Sequence, residues 1–94
     1  MSSRNIRFDP ECDRAAEALG GYEAIDDSLN AHLDALDRAP EGFPIVEAFF
    51  GSVRYVRTIP IKDIPELLWF FIIEENGDVT LTHVEKFLTT GASK

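Results

Sequence analysis

Few side chains in this chain belong to types that do chemistry, and their spacing narrows what they could do. Arg54 and Arg57 sit in Val53-Arg-Tyr-Val-Arg57, and Val79-Thr-Leu-Thr-His83-Val-Glu-Lys86 adds one histidine and one lysine. The other histidine, His32, falls between Leu29 and Leu33 in a periodic stretch, where a surface or boundary position is expected. Two histidines on separate elements, with no H-x-x-x-H pattern, do not make a metal site. The lone Cys12 offers neither an intramolecular disulfide nor a thiolate cluster. Asp26, Asp27, Asp34 and Asp37 read as solvent-facing helix acids, because carboxylate metal sites need oxygens converging from a shaped loop. A Gly-rich phosphate loop and a nucleophile motif are both lacking, so no cofactor and no metal are expected.

The elements that would position these residues can be read from pattern. Leu67-Leu-Trp-Phe-Phe-Ile-Ile73 is apolar throughout, aromatic and β-branched, and too short for a buried helix. It predicts a central strand covered on both faces, with Trp69, Phe70 and Phe71 in the core. Val79, Leu81 and His83 alternate with Thr80 and Thr82, as a partner strand with one wetter face would. Asn76-Gly77 predicts a two-residue type I′ hairpin between the two. Val53–Ile61 is a further strand, Pro44–Phe50 another, and Asn5–Phe8 a short edge strand. Lys62 to Pro65 is a loop held by prolines, and Leu88–Lys94 a polar tail.

Asp9-Pro10-Glu11 marks a helix start: Asp9 can cap, Pro10 suits the first helical position, and Glu11 and Asp13 suit the positive end of the dipole. Gly20-Gly21 ends that helix, and Tyr22, Ile25, Leu29, Leu33 and Leu36 recur at i+3 and i+4 as an amphipathic helix of about four turns. The 94 residues predict one domain, residues 1–94, of α+β class: an N-terminal strand and a helical hairpin packed on a twisted antiparallel sheet.

Net charge is −8, and the whole excess lies in residues 8–41, where ten acids face Arg14 and Arg38. Such a field repels nucleic acid and favours a basic partner, although a solvated helix surface accounts for it as well. The N-terminal stretch has no apolar run resembling a signal peptide, and Leu67–Ile73 is far short of the ~20 residues that span a bilayer. A cytoplasmic protein with no membrane partner is the simplest expectation.

The order of elements resembles the RelE/ParE superfamily of small bacterial toxins, HigB-like members included. Ile6-Arg-Phe8-Asp-Pro-Glu11 looks like that family's first strand running into its first helix. Val53-Arg-Tyr-Val-Arg57 is similar to its strand with paired arginines, and Leu67–Ile73 with Val79–Phe87 resembles its last two strands. The similarity runs from about Ile6 to Phe87. It implies a toxin-like component of a toxin–antitoxin system. In ribonuclease members the RNA 2′-OH attacks the adjacent phosphate without a metal, so cations must neutralise the transition state and some group must move protons. The matching positions are Arg54 or Arg57 as phosphate clamp, His83 as acid or base and Lys86 as charge stabiliser, with Tyr55 as an extra. Family toxins are usually basic, whereas this chain is acidic.

Each of these residues has a plainer role beside the catalytic one. Arg54 and Arg57 can pair across the sheet with Glu47, Glu74 or Glu75. His83 shares strand parity with Val79 and Leu81, which predicts a hydrogen-bonded, half-buried position. Parity also sends His83 and Lys86 to opposite faces, and likewise Arg54 and Arg57, unless a bulge intervenes. The partners the resemblance implies are an antitoxin-like protein, a target protein, or RNA on the ribosome if the site is catalytic. A non-catalytic module of this fold, binding a partner helix or a second subunit (a homodimer) against the sheet, is the alternative.

Overall fold

The computed structural model describes residues 5–46, 53–61 and 64–87. Strand β1 (Ile6–Phe8) leads directly into helix α1 (Pro10–Ala18), followed by α2 (Tyr22–Asn30), α3 (Leu33–Arg38) and a 3-10 turn over Pro40–Gly42. Strands β2 (Val53–Arg57), β3 (Leu67–Ile73) and β4 (Val79–Lys86) complete an α+β fold. The expected strand over Pro44–Phe50 is described only at its start, where Ile45 bridges Arg54 and the Val46 N–H donates to the Val53 carbonyl at 2.7 Å. The remainder of that stretch, Lys62 and Asp63 of the loop, and the tail from Leu88 lie outside the described residues.

Local chemistry accounts for the first helix at both ends. The Asp9 carboxylate accepts from the Glu11 N–H at 2.9 Å, and Pro10 occupies a position whose N–H would have no helical partner. At the other end the Gly21 N–H reaches the Ala16 carbonyl (2.8 Å) and the Gly20 N–H the Glu17 carbonyl (3.1 Å). This is the Schellman closure, and Gly20, at φ +104°, takes the backbone shape that a side chain disfavours.

The periodic stripe of the second helical region is correct in its residues but not in its continuity. Ile25, Leu29 and Leu36 are buried, while Tyr22 and Leu33 pack partly against the same core. The expected continuous helix breaks at Ala31-His32, where the His32 N–H bonds the Leu29 carbonyl and the chain restarts as α3. Asp26, Asp27, Ser28 and Asn30 are all poor helix formers, and the Ser28 hydroxyl donates back to the Ile25 carbonyl at 2.7 Å. The break lets the stripe stay on the sheet while the backbone changes direction.

The four strands are ordered β1-β4-β3-β2. β2, β3 and β4 form an antiparallel meander, but β1 lies parallel to β4 (Ile6 opposite Val79, Phe8 opposite Leu81), so the sheet is mixed and not wholly antiparallel. The helices carry the chain from β1 across to β2, which runs parallel to β1, and two antiparallel steps then return β4 parallel beside β1. The hairpin joining β3 and β4 is also longer than a two-residue turn. The Gly77 N–H bonds the Glu74 carbonyl (2.9 Å) and the Glu74 N–H bonds the Asp78 carbonyl (2.7 Å). Glu75 and Asn76 are therefore the central residues, and Gly77, at φ +97°, supplies the left-handed third position.

Burial alternates along β3. Leu67, Trp69 and Phe71 have no exposed surface, while Leu68, Phe70 and Ile72 are half-buried. The covered face carries Val56, Val79, Leu81 and Val84 beside those three, under Cys12 and Ala16 of α1 and Leu36 of α3. Two small residues on α1 let it lie close on β4. The expectation of Phe70 in the core beside Trp69 and Phe71 is corrected: among the described residues the helices cover one face of β3 only, and Phe70 belongs to the other.

Candidate functional site

The decisive local feature is an irregularity in β4. Leu81 stands opposite Phe71 and His83 opposite Phe70, so Thr82 is an extra residue without a partner of its own. The slip reverses the alternation beyond it: Val79 and Leu81 point to the core, and then so does Val84. His83 is therefore turned to the open face instead of sharing the side of Val79 and Leu81, and its side chain is 46% exposed.

The open face consists of three rows across the strands. Tyr55, Phe70 and His83 form the middle row, with the His83 ring stacked on Phe70 at 5.7 Å and Tyr55 edge-on to Phe70 at 6.4 Å. Val53, Ile72 and Thr80 form one flanking row, and Arg57, Leu68 and Glu85 the other. The His83 Nε2 is 3.1 Å from a Glu85 oxygen, and Thr80 donates to Glu74 at 2.7 Å. A shallow groove crosses this face over Phe70, Ile72 and Thr82, with Glu11 at the start of α1 on its rim.

The sequence-predicted cations are distributed over both faces. Arg54 stands opposite the inward Phe71 and donates from one guanidinium nitrogen to the Glu41 and Phe43 carbonyls, at 3.1 and 2.9 Å. Its Nε is buried with no acceptor among the described residues. This arginine fastens the 3-10 turn onto β2. Arg57 is on the open face, ion-paired with Glu66 and lying over the Phe87 ring at 4.3 Å. Neither arginine bonds Glu74 or Glu75 in the way expected across the sheet; Glu47 lies outside the described residues. Lys86 is opposite Leu67, on the helix side, beside Ala15 and Ala18 of α1 and the cap residue Leu19.

The four split into two pairs: Arg54 and Lys86 belong to the helix side, and Arg57 and His83 to the open face, where β3 separates them by roughly 10 Å across two strand spacings. Arg57 and His83 each already hold a carboxylate, Glu66 and Glu85. The carboxylates offset the positive charge that a phosphate would need. Tyr55 joins the same face, but its ring is engaged with Phe70. Among the described residues no three His, Cys, Asp or Glu side chains converge as a metal site would require. No helix there is long and apolar enough to cross a membrane.

Three further groups lie away from this face. The Cys12 thiol is pushed up from its ordinary value by burial, so it stays protonated and unreactive at neutral pH. Tyr22 donates to Asp13 at 2.7 Å, and burial first and that bond second raise its phenol far above the usual range. Asp78, only 6% exposed, accepts from the Asn5 backbone N–H at 3.0 Å, from Asn76 at 3.2 Å, and pairs with Arg7 at 3.0 Å. The bond from Asn5 is the largest cause holding its carboxyl below the ordinary carboxylate value. Sequence reading missed Asp78, whose only signal was an acid directly after the turn glycine.

No family model matches the chain, no curated protein is significantly similar to it, and no solved structure resembles it at a significant level.

Proposed function

We propose that this chain is a RelE/ParE-like, toxin-like module that acts by binding a protein and not by cleaving RNA. One observation carries the choice between the two: the cationic residues that RNA cleavage would need are split between the faces of the sheet, with Arg54, Arg57 and His83 each engaged, while among the described residues an aromatic and aliphatic surface stands open on one face. An acidic chain also approaches the ribosome or RNA against its own field. Protein targeting needs a shaped surface and no catalytic cluster, so neither feature counts against it.

Induced expression in a bacterial host tests this, with growth and the integrity of bulk mRNA followed together. The expected result is growth arrest with intact mRNA, unchanged in a Lys86→Ala variant, whose site lies across the sheet from the open face. Cleaved mRNA that becomes intact in that variant establishes a ribonuclease instead. Unimpaired growth at high soluble yield removes the toxin component and leaves a binding module.

A further inference from the structure

We infer that the open sheet face docks one short, basic, amphipathic helix from a partner protein, laid along β3 over Phe70. The inference rests on the protein-binding reading above, though not on toxicity. Three features of the face select this occupant over others.

The first is shape. Leu68, Phe70 and Ile72 line β3 at every second residue, with Val53 and Tyr55 on β2 and Thr82 and His83 on β4 beside them. Three strands give a floor roughly 10 Å wide, which matches the ~10–12 Å width of a helix with its side chains. Three apolar side chains along ~14 Å of strand are met by helix positions i, i+3 or i+4, and i+7.

The second is area. The five apolar side chains of the face are each half-buried already, leaving on the order of a few hundred Å² of apolar surface. A stable interface between two folded copies takes about 800 Å² from each. A single helix with flanking contacts suits the smaller surface.

The third is charge. Glu11 and Glu85 stand on the rim of the groove. Glu11 also pairs with Arg14 and Glu85 with the His83 ring, but both carboxylates stay largely exposed to an incoming cation, and Arg57 is paired with Glu66. The chain carries −8 overall, so a second copy and a nucleic acid strand both approach against repulsion. That decides against RNA even though Tyr55, Phe70 and His83 offer the rings on which bases could stack. Lys or Arg flanking the apolar stripe of an incoming helix would meet Glu11 and Glu85, which adds attraction at the rim and orients the helix.

The test uses the full chain, isotope-labelled, and a fluorescent 14-residue peptide of alternating Leu and Lys/Arg blocks at helical period. A scrambled peptide of the same composition and an acidic counterpart serve as controls. Anisotropy gives affinity, and amide shift changes locate the site. The expected result is binding of the periodic peptide alone, with the largest shifts at Tyr55, Phe70, Ile72 and His83. Phe70→Glu should weaken binding by about tenfold or more. Glu11→Lys/Glu85→Lys should weaken it about fivefold and flatten its salt dependence. Circular dichroism confirms that both variants are folded.

Equal binding of the scrambled peptide, shifts confined to the acidic helices, or no shifts on the open face each overturn the inference. So does a dimer in sedimentation that Phe70→Glu dissociates, which would assign the face to a second copy, or tight binding of a single-stranded RNA oligonucleotide. These readouts are independent of growth arrest. Docking without arrest would retire toxicity alone, and arrest without docking would retire this surface alone.

Discussion

The two faces of the sheet are made from the same strands yet obey different rules. On the helix side, Leu67, Trp69 and Phe71 are wholly buried and sit among Val56, Leu81 and Val84. On the open side, Leu68, Phe70 and Ile72, their immediate neighbours in sequence, remain half-exposed. Seven consecutive apolar residues thus support stability with every second side chain and leave the others available for contact. An apolar run does not by itself say that both of its faces are filled. It says that both are meant to meet something apolar.

The largest expected effect separates the faces directly. Trp69→Ala should lower unfolding free energy by about 3–5 kcal/mol, because it leaves a cavity in a core with little freedom to collapse. Phe70→Ala, one residue away on the open face, should cost about 1 kcal/mol. Chemical denaturation of both variants measures the contrast, and equal losses would mean that the open face is packed after all. The arginines give a second, smaller contrast. Arg54→Ala removes a cation bound to two backbone carbonyls and should cost about 2 kcal/mol, whereas Arg57→Ala removes an exposed ion pair and a cation–π contact and should cost about 1 kcal/mol or less.

Those pairs also show what the sequence could and could not convey. Asp9-Pro10 and Gly20-Gly21 announced the limits of α1 because capping and left-handed closure are local and need particular residue types. The Leu67–Ile73 strand was legible from its composition alone. The bulge at Thr82 was not: threonine alternates as any strand residue does, and the slip is decided by which side chains fill the core after Leu81. Val84 is buried in place of His83, an outcome of packing that no neighbouring residue signals. The break at Ala31-His32 has no Pro or Gly to mark it. The parallel placement of β1 combines a helical crossover to β2 with two antiparallel steps to β4, a partner more than seventy residues later. The candidate site fared accordingly. Parity correctly separated His83 from Lys86 and Arg54 from Arg57, but put His83 on the wrong side.

Two smaller predictions concern single groups at the margins of the faces. Asp78 has its carboxyl held below the ordinary value in the folded chain, so its stabilising effect is complete above the ordinary carboxylate value. It is lost as pH falls from there through the lower folded value. Stability measured from pH 6 down to pH 2 should therefore fall less in Asp78→Asn than in the parent over the acid limb. Parallel curves would show that other carboxylates carry that limb. At the weakest end, Cys12 should resist iodoacetamide at pH 8 in the folded chain and react fully in denaturant, since its thiol is buried and raised. Alkylation at equal rates in both would show that α1 opens from β4.

The pairing of β1 with β4 has a consequence for synthesis. Among the described residues, Ile6, Arg7 and Phe8 find their ladder partners in Val79, Thr80 and Leu81. At about 5–20 residues per second, the ribosome makes the last strand roughly 4–15 s after the first. Until β4 is made, β1 lacks its ladder and α1 lacks the strand it packs against. Residues 6–8 are made before every other strand of the sheet and seated only with the last.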